Sequence, residues 1–168
     1  ADGPLYRFPP CGLLALVIAA VALGIARGAG EDFRELAGAK TPTGSSRLLR
    51  DRASVQADVA MAAAEVESAR CYLSDAAARC EREAGHGEIS VEARARLRLA
   101  ATHATRQAAR AVDRVYEAGG GTSIYRRCPL QRRFRDVHVA TQHLMVAPAT
   151  YELVGRLMLG LETDASTL

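Results

Sequence analysis

The sequence predicts an all-α protein, built as an up-down helical bundle. Only 5% of its 168 residues are aromatic and Trp is absent, whereas a β-sandwich or barrel needs aromatic and β-branched runs. Alanine, the strongest helix former, is abundant together with leucine. The length suffices for one domain with a real core and leaves no room for two substantial ones. We therefore expect one bundle over residues 11–168, packed through small side chains.

The first ten residues are predicted to be an extended linker leading to a helix start at Pro9-Pro10, because they contain three prolines and a glycine. The next sixteen residues are uncharged, which raises the alternative of a signal peptide or membrane span. A helix of that length reaches only about 24 Å, short of the roughly 30 Å hydrocarbon core. Because the helical pattern continues through Arg27 to Gly38, one long helix is favoured and no membrane partner is expected.

This first helix is apolar on more than one side. A single bundle cannot bury all of these side chains, so another domain or another subunit is expected to cover the remainder. The large apolar residues concerned are Leu13, Val17 and Leu23 off one face and Leu14, Ile18, Val21 and Ile25 on others.

Residues 41–46, TPTGSS, are predicted to form a loop before the second helix. That helix is expected to begin near Asp51 or Ser54 and to end at Gly85-His86-Gly87, with His86 exposed in the loop. Its apolar positions recur every three or four residues: Val55, Val59, Ala62, Val66, Ala69, Leu73, Ala76 and Cys80.

Ser90 is a candidate N-cap for a third helix that runs to about Ala118. Its predicted buried stripe consists of Leu97, Ala101, Ala104, Ala108, Val112 and Val115. A separate polar stripe is interpreted as a solvated face, with an intersubunit or ligand contact as the alternative; it consists of His103, Gln107, Arg110 and Arg114.

The stretch GGGTSIYRRCPLQRRFRDVHVATQH carries most of the side chains suited to chemistry. Gly119, Gly120 and Gly121 allow backbone N–H groups to approach a phosphate, and Thr122 and Ser123 offer hydroxyl donors. A helix C-cap followed by a turn would also favour glycine here. Both interpretations therefore stay open for this turn.

Two shorter helices are expected after the glycine turn. The first starts at Pro129 and carries Arg132, Arg133, Arg135, Asp136 and His138. The pair Arg135-Asp136 is interpreted as an internal salt bridge rather than a ligand pair. The second starts at Pro148 and packs through Val154, Leu157, Met158 and Leu161.

Charge and cysteine content exclude several classes of function. The net charge of +3 includes 22 basic residues, of which one, Lys40, is lysine. The arginine run lacks the interleaved aromatic residues of base-binding surfaces, so no nucleic-acid partner is expected.

The cysteines form no C-x-x-C and no disulfide pattern, which favours a reducing, cytoplasmic compartment and argues against a metal site. They are Cys11, Cys71, Cys80 and Cys128.

Three segments in this order resemble the C-terminal helical domain of the acyl-CoA dehydrogenase fold. They are LYRFPPCGLLALVIAAVALGIARGA, VQADVAMAAAEVESAR and YEAGGGTSIYRRCPLQRRFRD. The resemblance implies an N-terminal helical domain and a middle β-domain that this chain does not contain. The chain would then correspond to the last third to half of such an enzyme.

Dehydrogenases of that fold carry a Glu-Gly eight residues after the Asp of an Arg-Asp pair. Here Leu144 occupies that position, and no acid lies between Asp136 and Glu152. The pattern RDVHVATQHLMV resembles instead the oxygenase components of two-component flavin-dependent monooxygenases, of the aromatic and steroid hydroxylase and dibenzothiophene desulfurisation types. The resemblance implies that His143 faces the flavin and handles a proton in catalysis. The alternative is a core histidine packed beside Leu144 and Met145.

The resemblance further implies reduced FMN or FAD as cofactor, with the turn from Gly119 to Ser123 near its phosphate or edge. It implies a separate flavin reductase, an aromatic or polycyclic substrate and a homotetramer. Two alternatives remain: an acyl-CoA dehydrogenase-type oxidoreductase domain, or a non-catalytic oligomerisation bundle. The isolated chain is expected to be inactive.

Overall fold

Six α-helices form the part of the chain that the computed structural model describes, residues 3–168; the side chains of Pro4 and Leu5 lie outside that description. Within these residues there is no β-strand, which confirms the predicted all-α class. The helices are α1 Pro4–Arg7, α2 Pro10–Ala39, α3 Ala53–His86, α4 Val91–Ala118, α5 Pro129–Thr141 and α6 Ala149–Met158. Short 3-10 turns lie at Leu49–Asp51, Gly120–Thr122 and Leu144–Val146.

Ion pairs between α3 and α4 show that these two helices run antiparallel. Near the end of α4, Arg114 lies 3.5 Å from Asp58 and 2.8 Å from Glu65, both in the first half of α3. Near the start of α4, Arg96 lies 2.9 Å from Asp75, in the second half of α3. The loop between the helices is only four residues long, so the chain reverses directly.

Close contacts show that α2 runs parallel to α4. A Cβ added at Gly12, near the start of α2, would lie 2.8 Å from Leu97 in the second turn of α4. At the other end, Leu36 lies 3.3 Å from a Cβ built on Gly119, just after α4. Helix α2 is therefore antiparallel to α3, and the predicted up-down order of the three long helices is confirmed.

Helix α4 is the centre of the bundle, since fourteen of its 28 residues are buried. The predicted buried stripe is confirmed along its whole length. The Ser90 N-cap is also confirmed, because its hydroxyl accepts the Ala93 N–H at 3.2 Å. In α3 the predicted seam is buried except at Val59 and Val66, which are half-buried.

The N-terminal segment differs from the predicted extended linker. Residues Pro4–Arg7 form one helical turn, because proline is tolerated in the first turn of a helix as well as in extended chain. Arg7 fixes this turn to the end of α3 by donating to the Ala84 carbonyl at 3.1 Å. The long helix begins at Pro10, as predicted. Residues 1–2 of the predicted linker lie outside the described residues.

Helix α2 buries most of its alanines together with Leu23 and Phe33, and exposes several large residues of its first half. Ala15, Ala19 and Ala22 are fully buried, whereas four large apolar side chains are 39–55% exposed: Leu13, Leu14, Val17 and Val21. By length and composition α2 is long and apolar enough to cross a membrane: an 18-residue window of it has a mean hydropathy of 2.1, and 33% of that window is buried. The core helix of a soluble protein can meet the same criterion. The expectation that this chain alone cannot bury all of α2 is confirmed.

The last helix packs through fewer residues than predicted. Val154 is buried and Leu157 half-buried, but Met158 is 73% and Leu161 48% exposed. The helix ends at Met158, and Gly160, at φ 70°, turns the chain away. The final residue, Leu168, is buried against Val154 instead. The C-terminal residue thus contributes to this packing, whereas Met158 and Leu161 do not.

Glu83 joins the end of α3 to the start of α4. Its carboxylate accepts the N–H and the hydroxyl of Ser90, each at 2.8 Å, and Arg79 Nε at 2.9 Å. The Ser90 backbone hydrogen bond, followed by those of Arg79 and the Ser90 hydroxyl, lowers the pKa of Glu83 from 4.5 to about 2. These bonds favour the ionised carboxylate and hold the Ser90 cap in place.

Replacing Glu83 with Gln should destabilise the fold at neutral pH and have little effect near pH 2. Because folding lowers this pKa, the ionised carboxylate stabilises the protein above its ordinary pKa of 4.5, and the effect is lost as pH falls towards about 2. Urea unfolding of both proteins at pH 6.5 and near pH 2 measures the difference. Glu81→Gln, an exposed neighbour on α3, is the matched control. An unchanged urea midpoint for Glu83→Gln at pH 6.5 would contradict this role.

Candidate functional site

His143 lies just after α5 and serves as the N-cap of the 3-10 turn Leu144–Val146. Its backbone is extended, at φ −69° and ψ 133°, and its Nδ1 accepts the Met145 N–H at 3.2 Å. The residue is exposed. The alternative of a core histidine is therefore wrong.

The contact with Met145 determines the tautomer of the neutral His143 ring. An N–H group directed at Nδ1 requires a lone pair there, so the ring proton lies on Nε2. Nε2 makes no hydrogen bond to any residue that the structure describes. His143 thus presents a free N–H donor to its surroundings.

The turn that carries His143 is anchored by its last residue. Val146 is fully buried and lies in the main core, and the turn packs against α2 and α4. Leu144, in contrast, is 74% exposed. A polar donor and an apolar side chain therefore project side by side from a fixed backbone.

Gly119 and Ser123 belong to the interior of the glycine turn. The Gly119 carbonyl accepts Lys40 Nζ at 2.6 Å, so the one lysine caps the end of α4. Ser123 is fully buried, and its hydroxyl donates to the Tyr116 carbonyl at 2.8 Å. A Cβ on Gly119 would collide with Ser123 Oγ. The helix-capping interpretation therefore applies to these two residues.

Gly120, Gly121 and Thr122 form the outer part of the same turn. Gly120 and Gly121 are exposed and Thr122 is half-buried. Gly120 has φ 57°, in the left-handed region that favours glycine. These three residues are accessible to an anionic group, whereas the Ser123 hydroxyl is occupied within the chain. A cofactor contact for the turn stays a prediction.

The chain does not bring the glycine turn and His143 together in one small pocket. Gly119 packs against Leu130 in the first turn of α5, and His143 follows the last turn of the same helix. At about 1.5 Å per residue the two ends of α5 lie roughly 20 Å apart. The two predicted parts of the site therefore lie at opposite ends of one helix.

Arg135 and Asp136 form the predicted salt bridge within the chain, and it lies on the surface. The two groups are 3.8 Å apart, and their side chains are 63% and 39% exposed. The internal link is made by Arg133, which donates to Asp32 of α2 at 2.9 Å and packs over Gly28. Sequence reasoning missed it because the partners are 101 residues apart.

The polar stripe of α4 is half-buried except at Arg110, which is exposed as a solvated face predicts. Arg114 forms the ion pairs to α3 described above, and His103 packs edge-on against Tyr72 at 6.2 Å. Burial, followed by the charge of Arg110, lowers the pKa of His103. His138 of α5 also turns towards this stripe, where its Nε2 donates to Asp113 Oδ1 at 2.7 Å. The stripe thus lines a cleft, and no local pattern indicated this pairing.

Comparison with known proteins gives a consistent result. Residues 16–148 match the family described as the acyl-CoA dehydrogenase, C-terminal domain. An indole-3-acetate monooxygenase of Pseudomonas putida is 33% identical over 160 residues, which cover 95% of this chain and 41% of that protein. The oxygenase subunit HsaA of a flavin-dependent monooxygenase of Mycobacterium tuberculosis is 28% identical, with 95% and 41% covered.

A solved structure agrees with these relatives. XiaF from Streptomyces sp., in complex with FADH2 and glycerol, superimposes with a TM-score of 0.87 at 25% identity, covering 95% of this chain and 41% of that chain. The chain thus spans about two-fifths of the length of the proteins that it matches.

Gly119→Ala should destabilise the protein, by ~1–3 kcal/mol, because the new methyl group forces Ser123 out of its buried hydrogen bond. Gly121→Ala is the matched control, since no atom lies within 4 Å of its added Cβ. Melting temperature and urea unfolding measure the difference. Equal stability of the two variants would show that Gly119 is not required for close packing.

Proposed function

Because the chain belongs to the family of the acyl-CoA dehydrogenase C-terminal domain, we propose that it is the C-terminal helical domain of a flavin-dependent monooxygenase. This enzyme hydroxylates an aromatic or polycyclic substrate and uses reduced flavin from a separate reductase. The relatives described above support the proposal, because they are oxygenases and one is the oxygenase subunit of a flavin-dependent enzyme.

The observation that carries this proposal is the position and exposure of His143. Leu144 occupies the place at which the related dehydrogenases have a glutamate base, and it cannot remove a proton. His143 precedes it on a turn whose backbone is fixed by Val146 and whose Nε2 is free. An imidazole ring therefore lies beside the position of the dehydrogenase base, and the glutamate that would remove a substrate proton is replaced by Leu144.

The described residues offer two separate contacts for a flavin. The exposed N–H of His143 would meet the reacting edge, and the exposed backbone of Gly120 and Gly121 would lie near a phosphate or edge of a flavin. Bound reduced flavin would supply the electrons that activate molecular oxygen. Because the two segments are roughly 20 Å apart, they would contact distant parts of one flavin or two different flavins. The cofactor is FMN or FAD in this proposal.

His143 would act first as a hydrogen-bond donor through Nε2, since Nδ1 is held by Met145. A donor at this position stabilises negative charge that develops on a bound oxygen atom and can deliver a proton to it. Leu144 offers an apolar contact beside this donor, which suits an aromatic ring. Together they support a phenolic or indolic substrate class.

We also propose that the protein works as a homotetramer in the cytoplasm. The exposed apolar face of α2, made of Leu13, Leu14, Val17 and Val21, supports assembly, because contiguous apolar surface of this kind marks interfaces. The four free cysteines support a reducing compartment. Assembly and catalysis are compatible, so the oligomerisation role accompanies the oxygenase role.

The competing function, acyl-CoA dehydrogenation, is tested with the protein that contains this chain. One assay supplies reduced flavin, oxygen and a phenol or indole-3-acetate; the other supplies acyl-CoA and an electron acceptor. Hydroxylated product in the first supports the proposal. Acyl-CoA oxidation without hydroxylation would replace it with the dehydrogenase.

His143→Ala is expected to reduce hydroxylation by roughly 10²-fold or more, the usual scale for a positioned acid-base group. Folding should change little, because the side chain is exposed and contributes one capping hydrogen bond. Product yield, oxygen consumption and melting temperature are measured together.

His143→Asn separates the two contributions of the ring, because Asn is a good N-cap but exchanges no proton near neutral pH. This variant should keep the wild-type melting temperature and still lose hydroxylation. His86→Asn, at the exposed end of α3, is the control. Wild-type coupling of flavin oxidation to hydroxylation in His143→Asn would rule out the catalytic assignment.

Val17→Glu should disrupt the assembly, because it places a charge on the exposed apolar face of α2. Sedimentation velocity at micromolar concentration is expected to show a smaller species than the wild type. Val139→Glu, at a 67% exposed valine of α5, is the matched control. A wild-type monomer, or a Val17→Glu protein of unchanged size, would contradict the assembly.

A further inference from the structure

A polar cleft of about 400 Å³ lies among α4, α5 and α6. Helix α4 contributes one face of the cleft, including Arg106 and Arg110, and α6 contributes Tyr151. Its volume leaves room for a small ion with several waters, at about 30 Å³ per water. The cleft is therefore large enough to bind a ligand.

Three donor side chains in this cleft have no partner. In the described part of the chain, Arg106 and Arg110 take part in no ion pair, and neither they nor the Tyr151 hydroxyl make a side-chain hydrogen bond. Many other arginines of the chain are paired with carboxylates; Arg114, one turn further along α4, contacts two. Two guanidinium groups of one wall are thus unpaired among the described residues, although Arg110 also borders a neighbouring cleft with Asp113 and Glu117.

The charges of the two arginines also affect the pKa of the third donor, Tyr151. Burial raises the pKa of the Tyr151 phenol, and the positive charges of Arg106 and Arg110 oppose that shift. Arg110 also lowers the pKa of His103, after the larger effect of burial. The two arginines of α4 and Tyr151 of α6 therefore share one cleft.

The one carboxylate in the cleft wall does not neutralise these arginines. Asp113 accepts His138 Nε2 at 2.7 Å, and the ring of His138 is held in turn by Phe134, whose centroid is 4.5 Å away. This contact directs the carboxylate towards α5. Asp113 Oδ1 is thus engaged with His138, and neither arginine donates to this carboxylate.

We propose that this cleft binds a small oxyanion, a phosphate or a carboxylate, through Arg106, Arg110 and Tyr151. Guanidinium groups present paired N–H donors that match the oxygens of either anion, and a phenol adds a third donor. The proposal is independent of the oxygenase function, since it invokes neither flavin nor His143. Arg106 is half-buried, whereas Arg110 and Tyr151 are exposed, so solvent screens the ion pairs and weak binding is expected.

Isothermal titration calorimetry of the complete protein with inorganic phosphate and, separately, with sodium acetate tests the proposal at constant ionic strength set with chloride. Saturable binding of either anion is expected, in the millimolar range. Saturation by phosphate alone assigns a phosphoryl group, and saturation by acetate alone assigns a carboxylate. Failure of both to saturate would overturn the proposal.

Arg106→Gln and Arg110→Gln should each raise the measured Kd at least tenfold, and Tyr151→Phe should raise it severalfold. Arg82→Gln, an exposed arginine of α3 that has no ion pair among the described residues, is the matched control and should leave Kd unchanged. Melting curves confirm that each variant is folded. Equal Kd values for wild type and both cleft arginine variants would show that any anion binds elsewhere.

Discussion

Close packing of alanine between the long helices is the constraint on which the rest of this structure depends. Helix α4 packs against α2 and α3 largely through alanine, and the buried residues of α2 are also mostly alanine. Each such side chain buries little area, so the bundle gains stability from many close contacts rather than from a few large ones. Four large apolar residues in the first half of α2 face outwards, where only another surface can cover them: Leu13, Leu14, Val17 and Val21.

Polar side chains then fix how the helices lie along one another. Arg114 joins α4 to α3, Arg133 joins α5 to α2, and Lys40 closes the end of α4. These groups are partly exposed, so each adds modest stability. Their common contribution is register, because an alanine seam alone is nearly uniform along its length and specifies position weakly.

The same architecture explains why the two candidate functional segments are separate. The glycine turn must lie beside the start of α5, because Gly119 packs under Leu130, and His143 must follow its end. Each segment combines one buried anchor, Ser123 or Val146, with accessible backbone or side-chain donors. A rigid scaffold therefore presents two small contact surfaces at opposite ends of α5.

The sequence by itself determined the features that depend on neighbours within a few residues. Helical periodicity, the Ser90 cap and the proline starts of α2 and α5 are local, and all were predicted. The resemblance located His143, but only the tertiary structure showed that it is exposed and which nitrogen carries its proton. The pairing of His138 with Asp113, the inward turn of Arg133 and the outward turn of Arg135 depend on how α5 is rotated against α2 and α4. That rotation results from packing between residues distant in sequence, for which the order of residues in one helix carries no signal.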